Sequence, residues 1–171
     1  ENSQWRNENI RVTIDDRDIR GGDKVWQHIK QGVPLRVEIG PRDLAAGTVS
    51  IARRDEPPKQ KLTMTLEDFP KNAANLLESV QTNMLKKAVD FRENHSSTLN
   101  KKDEVSEFFD SKQDTSGFAY VHVADDPAVA EALDPLKVTV RCAPMDWDEE
   151  PGKCLYTGKS VLRRSVISRS Y

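Results

Sequence analysis

Apolar and polar residues alternate in several short stretches of this chain and recur at three- and four-residue steps in others. Residues 9–14 place Ile10, Val12 and Ile14 on one side, the pattern of a half-buried strand. Asp15-Asp16-Arg17-Asp18 follows as a polar loop. Gly21-Gly22 then breaks the chain before Asp23, a candidate N-cap for a helix through Val25, Trp26 and Ile29. Gly32-Val33-Pro34 ends that helix. Residues 35–39 alternate again, as do 48–52, and the short connection at 42–47 predicts a hairpin between them. Pro57-Pro58 marks a turn before a fourth strand at 61–64.

The longest element is a helix over 70–94. Its apolar stripe runs through Ala73, Leu76, Leu77, Val80, Met84, Leu85, Ala88 and Phe91, one face of a 3.6-residue period. Pro70 suits its first turn, where a missing N–H costs nothing. The polar stretch 93–101 is the expected boundary, giving units 1–98 and 99–171. Beyond it the pattern predicts a helix at 103–112, a strand at 118–123, a helix at 127–133, a strand at 136–141 and a final strand at 161–168. The mixed order makes the first part α/β and the second a small α+β unit. The second core is expected from Phe118, Val121, Val138, Val140, Val161, Val166 and Ile167.

Composition removes several classes. The 171 residues hold 8 Gly and 9 Pro, too few for a collagenous or low-complexity chain. No run approaches the roughly 18 apolar residues of a membrane helix. Two cysteines make no disulfide framework, which favours a cytoplasmic setting. The polar start is not a secretory signal, and without an initial Met the chain reads as a processed or cut piece. The formal charge of −2 conceals a segregation. Residues 103–150 carry 13 acidic against 3 basic side chains, while 151–171 carry 5 basic and no acidic ones.

A self-contained catalytic set is missing. His28, His95 and His122 accompany no Gly-x-Ser-x-Gly or Cys-His arrangement, and neither a Walker loop nor Gly-x-Gly-x-x-Gly occurs. Asp15, Asp16 and Asp18 lack the Gly and distal Glu of a calcium loop and read as a solvated turn. Cys142 and Cys154 stand alone, without the paired spacing of a zinc site. A binding surface remains. Arg36 points away from Leu35 and Val37, and Arg42, Arg53, Arg54, Lys59 and Lys61 are expected to gather with it at one end of a small sheet. Guanidinium and ammonium groups there suit phosphates and base edges.

Three runs carry a resemblance: Val12-Thr13-Ile14-Asp15-Asp16-Arg17-Asp18, then Gly32-Val33-Pro34-Leu35-Arg36-Val37-Glu38-Ile39-Gly40-Pro41-Arg42-Asp43-Leu44, then Arg53-Arg54-Asp55. Together they resemble the anticodon-binding domain of prolyl-tRNA synthetases, class II enzymes, here of the archaeal/eukaryotic type with an extra C-terminal domain. Phe91-Arg92-Glu93-Asn94-His95, Val140-Arg141-Cys142-Ala143-Pro144 and the terminal Ser168-Arg169-Ser170-Tyr171 agree in order.

The resemblance implies an α/β, mixed-sheet anticodon-binding domain, incomplete at its N-terminus, followed by a small α+β C-terminal domain. It implies a C-terminal part of a proline–tRNA ligase that recognises tRNA(Pro). The catalytic domain, with ATP and Mg, would lie outside this chain, and the complete enzyme would be a cytoplasmic homodimer with no DNA or membrane partner. Arg36, Arg42 and Lys61 match the family's anticodon-contacting cations, with Lys59 competing for the last role. Tyr171 matches a C-terminal residue near the complete enzyme's active site. Two departures stand out. The family's acidic residue on the helix before Gly-Val-Pro is Ile29 here. The family's zinc pairs fall on Ala124 and Val129, and on Cys154 and Thr157, so no zinc is expected. Another class II synthetase, such as threonyl or glycyl, and a free-standing protein-interaction module are the alternative readings.

Overall fold

The computed structural model describes residues 3–110 and 117–169. It divides into two compact units, Glu1–Lys87 and Ala88–Tyr171. The division lies inside a helix, whereas the sequence pattern placed it at residue 98.

In the first unit, β1 (Gln4–Trp5) and β2 (Glu8–Asn9) form a small hairpin, turned by Arg6 and Asn7 at positive φ. Helix α1 is Gly21–Lys30. Strands β3 (Leu35–Glu38), β4 (Thr48–Arg53) and β5 (Lys61–Thr65) make an antiparallel sheet in the order β3-β4-β5. Val49 and Ile51 of β4 pack with Leu76 of helix α3 (Asp68–Asn94), flanked by Leu35, Met64 and Phe69. That helix begins two residues before the expected Pro70, because Thr65 caps it: its hydroxyl accepts from Asp68 N at 3.0 Å.

Two expectations fail here, and the expected β3–β4 hairpin forms with a helix in its connection. Residues 10–14 do not form a strand, and Val12 and Ile14 are 80% and 84% exposed. Alternation becomes a strand only where a partner supplies the ladder; Ile10 N still donates to Ser3 O, but no described strand pairs with 11–19. The 42–47 connection is not a plain turn. It contains helix α2 (Pro41–Ala46), started by Pro41 and by the Asp43 carboxylate accepting from Gly40 N at 2.8 Å, and stopped by Gly47 at φ 66°. The stripe of α3 is core only in its first half: Ala73, Leu76 and Val80 are buried, while Leu85 and Phe91 are exposed.

The second unit carries a mixed sheet in the order β6-β7-β11-β8. Strand β6 (Ser96–Thr98) lies parallel to β7 (Phe118–Val121), within the stretch expected to be a linker. Helix α4 (Lys102–Phe108) lies between β6 and β7, and the expected continuation to residue 112 falls partly outside the described residues. Helix α5 (Pro127–Leu133) is capped by Asp126, which accepts from Ala128 N at 2.9 Å. Strand β8 is Val138–Cys142, and β9 (Gly152–Lys153) pairs with β10 (Ser160–Val161). Strand β11 (Ser165–Arg169) is separate from β10, so the expected single strand at 161–168 is two.

The second core is Val105, Phe109, Ala119, Val121, Val129, Leu133, Val138, Cys154 and Ile167, with Val123. Phe118 and Val140, both expected inside, are exposed. Ala119 and Val121 take the inward positions of β7, and a bulge between Val166 and Ile167 lets both of those residues be buried. Helix and sheet mix in both units, as the α/β and α+β readings expected.

Candidate anticodon-binding face

The antiparallel register assembles the site. Arg36 of β3 lies opposite Ala52 of β4, and Ala52 lies opposite Lys61 of β5. Glu38, Ser50 and Thr63 form the next row on the same face. With neighbouring strands about 4.8 Å apart, Arg36 and Lys61 stand roughly 10 Å apart across the sheet. The small side chains of Ala52 and Ser50 leave the middle strand low. The Lys61 ammonium crosses it to reach Glu38, with Nζ–Oε2 at 2.6 Å.

Arg36 is only 8% exposed, and its Nε has no hydrogen-bond partner among the described residues. Its expected alternation with Leu35 and Val37 holds, but the burial is inverted, since Val37 is the exposed neighbour. A buried guanidinium N–H without a partner is costly in a folded protein, and an incoming acceptor relieves that cost.

Arg36, Arg54, Lys59 and Lys61 gather as expected at the end where β3 starts, β4 ends and β5 starts, and Arg42 and Arg53 depart from the group. Arg54 and Lys59 lie at the β4–β5 turn end, where Arg54 donates to Gly32 O at 3.3 Å. Arg42 sits on α2, beyond the opposite end of β3, and is exposed. Arg53 points to the other face and is consumed there. It grips Asp55 at 2.9 and 2.6 Å and the Ser79 hydroxyl at 3.0 Å. A shallow concavity lined by Ile51, Arg53, Glu56, Gln60 and Leu62 also opens on that other face.

The polar loop after Val12 has a role missed in the sequence. Asp15 accepts from Arg17 at 2.8 and 2.7 Å and lies 2.8 Å from His28 Nε2, while Lys24 donates to its carbonyl at 3.1 Å. The Arg17 guanidinium holds the Asp15 carboxyl well below the usual carboxylate range, with His28 adding to it. This knot anchors the loop to α1 and puts Ile29 beside it. The only early signal was the local density of opposite charges.

His95 and His122 are tied locally, to Phe91 O and Glu150 O, each at 2.7 Å. At the positions of the family's zinc pairs, Cys154 is the one thiol. Its sulfur accepts from Thr157 N at 3.4 Å, and the Thr157 hydroxyl and further backbone N–H groups draw its pKa down against burial. Among the described residues no three His, Cys, Asp or Glu side chains converge as a metal site. These residues do not fit the family's zinc. Tyr171 lies outside the described residues.

Comparison with known proteins decides the lineage. A family model for an anticodon binding domain matches residues 2–76. The proline–tRNA ligase of Bdellovibrio bacteriovorus is 41% identical over 163 residues, covering 95% of this chain and 33% of that protein. The chain belongs to the prolyl-tRNA synthetase family. The Rhodopirellula baltica proline–tRNA ligase is 38% identical over 98% of the chain. A crystal structure of prolyl-tRNA synthetase from Cryptosporidium parvum, complexed with L-proline and AMP, superposes with a TM-score of 0.79 at 25% identity. It covers 95% of this chain and 34% of that one. The chain therefore spans about a third of the length of the curated relatives it matches. No described helix is long and apolar enough to cross a membrane.

Proposed function

We propose that this chain is the anticodon-recognising, C-terminal part of a proline–tRNA ligase. The observation that carries the reading is the likeness to proline–tRNA ligases over nearly the whole chain, both units included. The complete enzyme activates proline with ATP and Mg in a catalytic domain and transfers it to tRNA(Pro). It works as a cytoplasmic homodimer of the archaeal/eukaryotic type. The second unit, following the anticodon-binding one, supports that type. Tyr171 reaches towards the catalytic domain in this reading, and no zinc is held.

Arg36, Arg42 and Lys61 are the anticodon contacts. Proline anticodons present guanines, whose O6 and N7 accept well from Arg and Lys. An unpaired loop exposes these edges.

The test is titration of the chain with a proline anticodon stem-loop, against the same loop with its guanines replaced by adenines. Guanine-dependent binding is expected. Arg42→Ala and Lys61→Ala should each weaken it about tenfold or more. Arg36→Ala is read beside its melting curve, because Arg36 is buried. Equal binding of both loops overturns the reading.

A further inference from the structure

The face that carries Arg36 and Lys61 is not built of donors alone. Glu38 stands two residues along β3 from Arg36, on the same side, and its Oε2 holds the Lys61 ammonium at 2.6 Å. Both side chains stay open to solvent, at 42% for Glu38 and 39% for Lys61. The second carboxylate oxygen, Oε1, has no hydrogen bond among the described residues. Nearby acids are already committed. Asp43 accepts from Gly40 N and the Ser50 hydroxyl, Asp15 is bound by Arg17 and His28, and Asp55 is buried on the opposite face with Arg53.

Guanine sets a requirement that cations cannot meet. Its O6 and N7 accept, but its Watson–Crick edge also carries N1–H and N2–H donors beside O6. Reading that edge takes a donor and an acceptor side by side. The Lys61–Glu38 pair is such a couple, presented over the low strand formed by Ala52 and Ser50. Ile29, on α1, supplies no acceptor.

We propose that Glu38 is a specificity-determining residue. Its carboxylate accepts from N1–H and N2–H of an anticodon guanine while Lys61 donates to O6 of the same base. This rests on the anticodon reading above. The plainer role is that of a counter-ion for Lys61. An exposed ion pair of this kind adds little to stability, so its removal leaves the fold intact.

The experiment compares guanosine, inosine and 7-deazaguanosine at each anticodon guanine, using the whole 171-residue chain and unmodified stem-loops. Inosine lacks only the N2 amino group, and 7-deazaguanosine lacks only N7. The unaltered chain should bind one inosine-substituted loop about tenfold more weakly than the guanosine loop. Glu38→Ala should bring that ratio close to one and leave the 7-deazaguanosine ratio unchanged. Removing a negative charge should also tighten binding of the inosine and adenosine loops at low salt, while the guanosine loop loses the contact and does not gain. A counter-ion alone would give uniform tightening of every loop, with the guanosine/inosine ratio kept in both Glu38→Ala and Glu38→Gln. That result overturns the role of Glu38 and leaves the anticodon reading standing. An unaltered chain that separates guanosine from adenosine, but not from inosine, does the same. A chain indifferent to guanosine and adenosine removes both.

Discussion

Asp55 shows how one residue decides where its neighbours can act. Its side chain is fully enclosed, bound by both Arg53 nitrogens and by Asn83 at 2.9 Å, while Lys87 donates to its backbone carbonyl. The hydrogen bonds from Arg53 lower its pKa from 3.8 to about 2, with Asn83 helping and burial opposing. The folded value lies below the unfolded one. The stabilisation is therefore complete above about pH 4 and is lost as the pH falls towards 2. A shift of that size corresponds to about 2 kcal/mol. Chemical denaturation from pH 5 to pH 2 should show this loss. Asp55→Asn should be less stable at pH 7 by about 2 kcal/mol or more and should lack that part of the acid dependence. Arg53 pairs with Leu35 in the ladder and so lies on the opposite face from Arg36, where the grip on Asp55 holds it.

At the scale of elements, the least expected piece is β6, a parallel strand directly after the long helix. It brings the chain against Gly117, where an added Cβ would sit 1.5 Å from His95 O. Phe118 N donates to that same carbonyl at 2.9 Å. Gly117→Ala must push the backbones apart. It should destabilise the second unit by about 1–3 kcal/mol or more, read as a lower midpoint in urea. Arg164 closes the same region. It holds both Glu150 oxygens, the carbonyls of Leu99 and Tyr120, and Asn100. Element types were largely legible beforehand, because α1, α3, α5 and strands β3, β4, β5, β7 and β8 each follow a clear period. Residues 10–14 carried an equally clear period and still formed no strand, since a period specifies a face and not a partner.

At the scale of the whole molecule, charge separates the two units' prospects. The acidic stretch 103–150 disfavours phosphate, whereas the exposed Arg42, Arg54 and Lys59 of the first unit can meet a loop backbone. Each cation–phosphate contact with a single strand contributes a slope of about −0.7 in log K against log salt. Titrations over a salt series should therefore give a slope of about −2. Arg54→Ala should reduce it by about 0.7 and leave the guanine preference in place. A flat response would mean that these three cations stay clear of the backbone.

The sequence by itself determined the helical and strand periods, the punctuation by Gly and Pro, the absence of a catalytic or metal motif, and the family through the Gly-Val-Pro-Leu-Arg run. These are local properties, written in spacing and residue type. The tertiary structure alone decided that Arg36 is buried and Val37 exposed, that Arg53 is spent on Asp55, that Arg42 stands apart from Lys61, and that Glu38 shares the face with Lys61. Each depends on which strand lies opposite and how small its side chains are. Ala52 and Ser50 mattered only once the register had placed them between the charges.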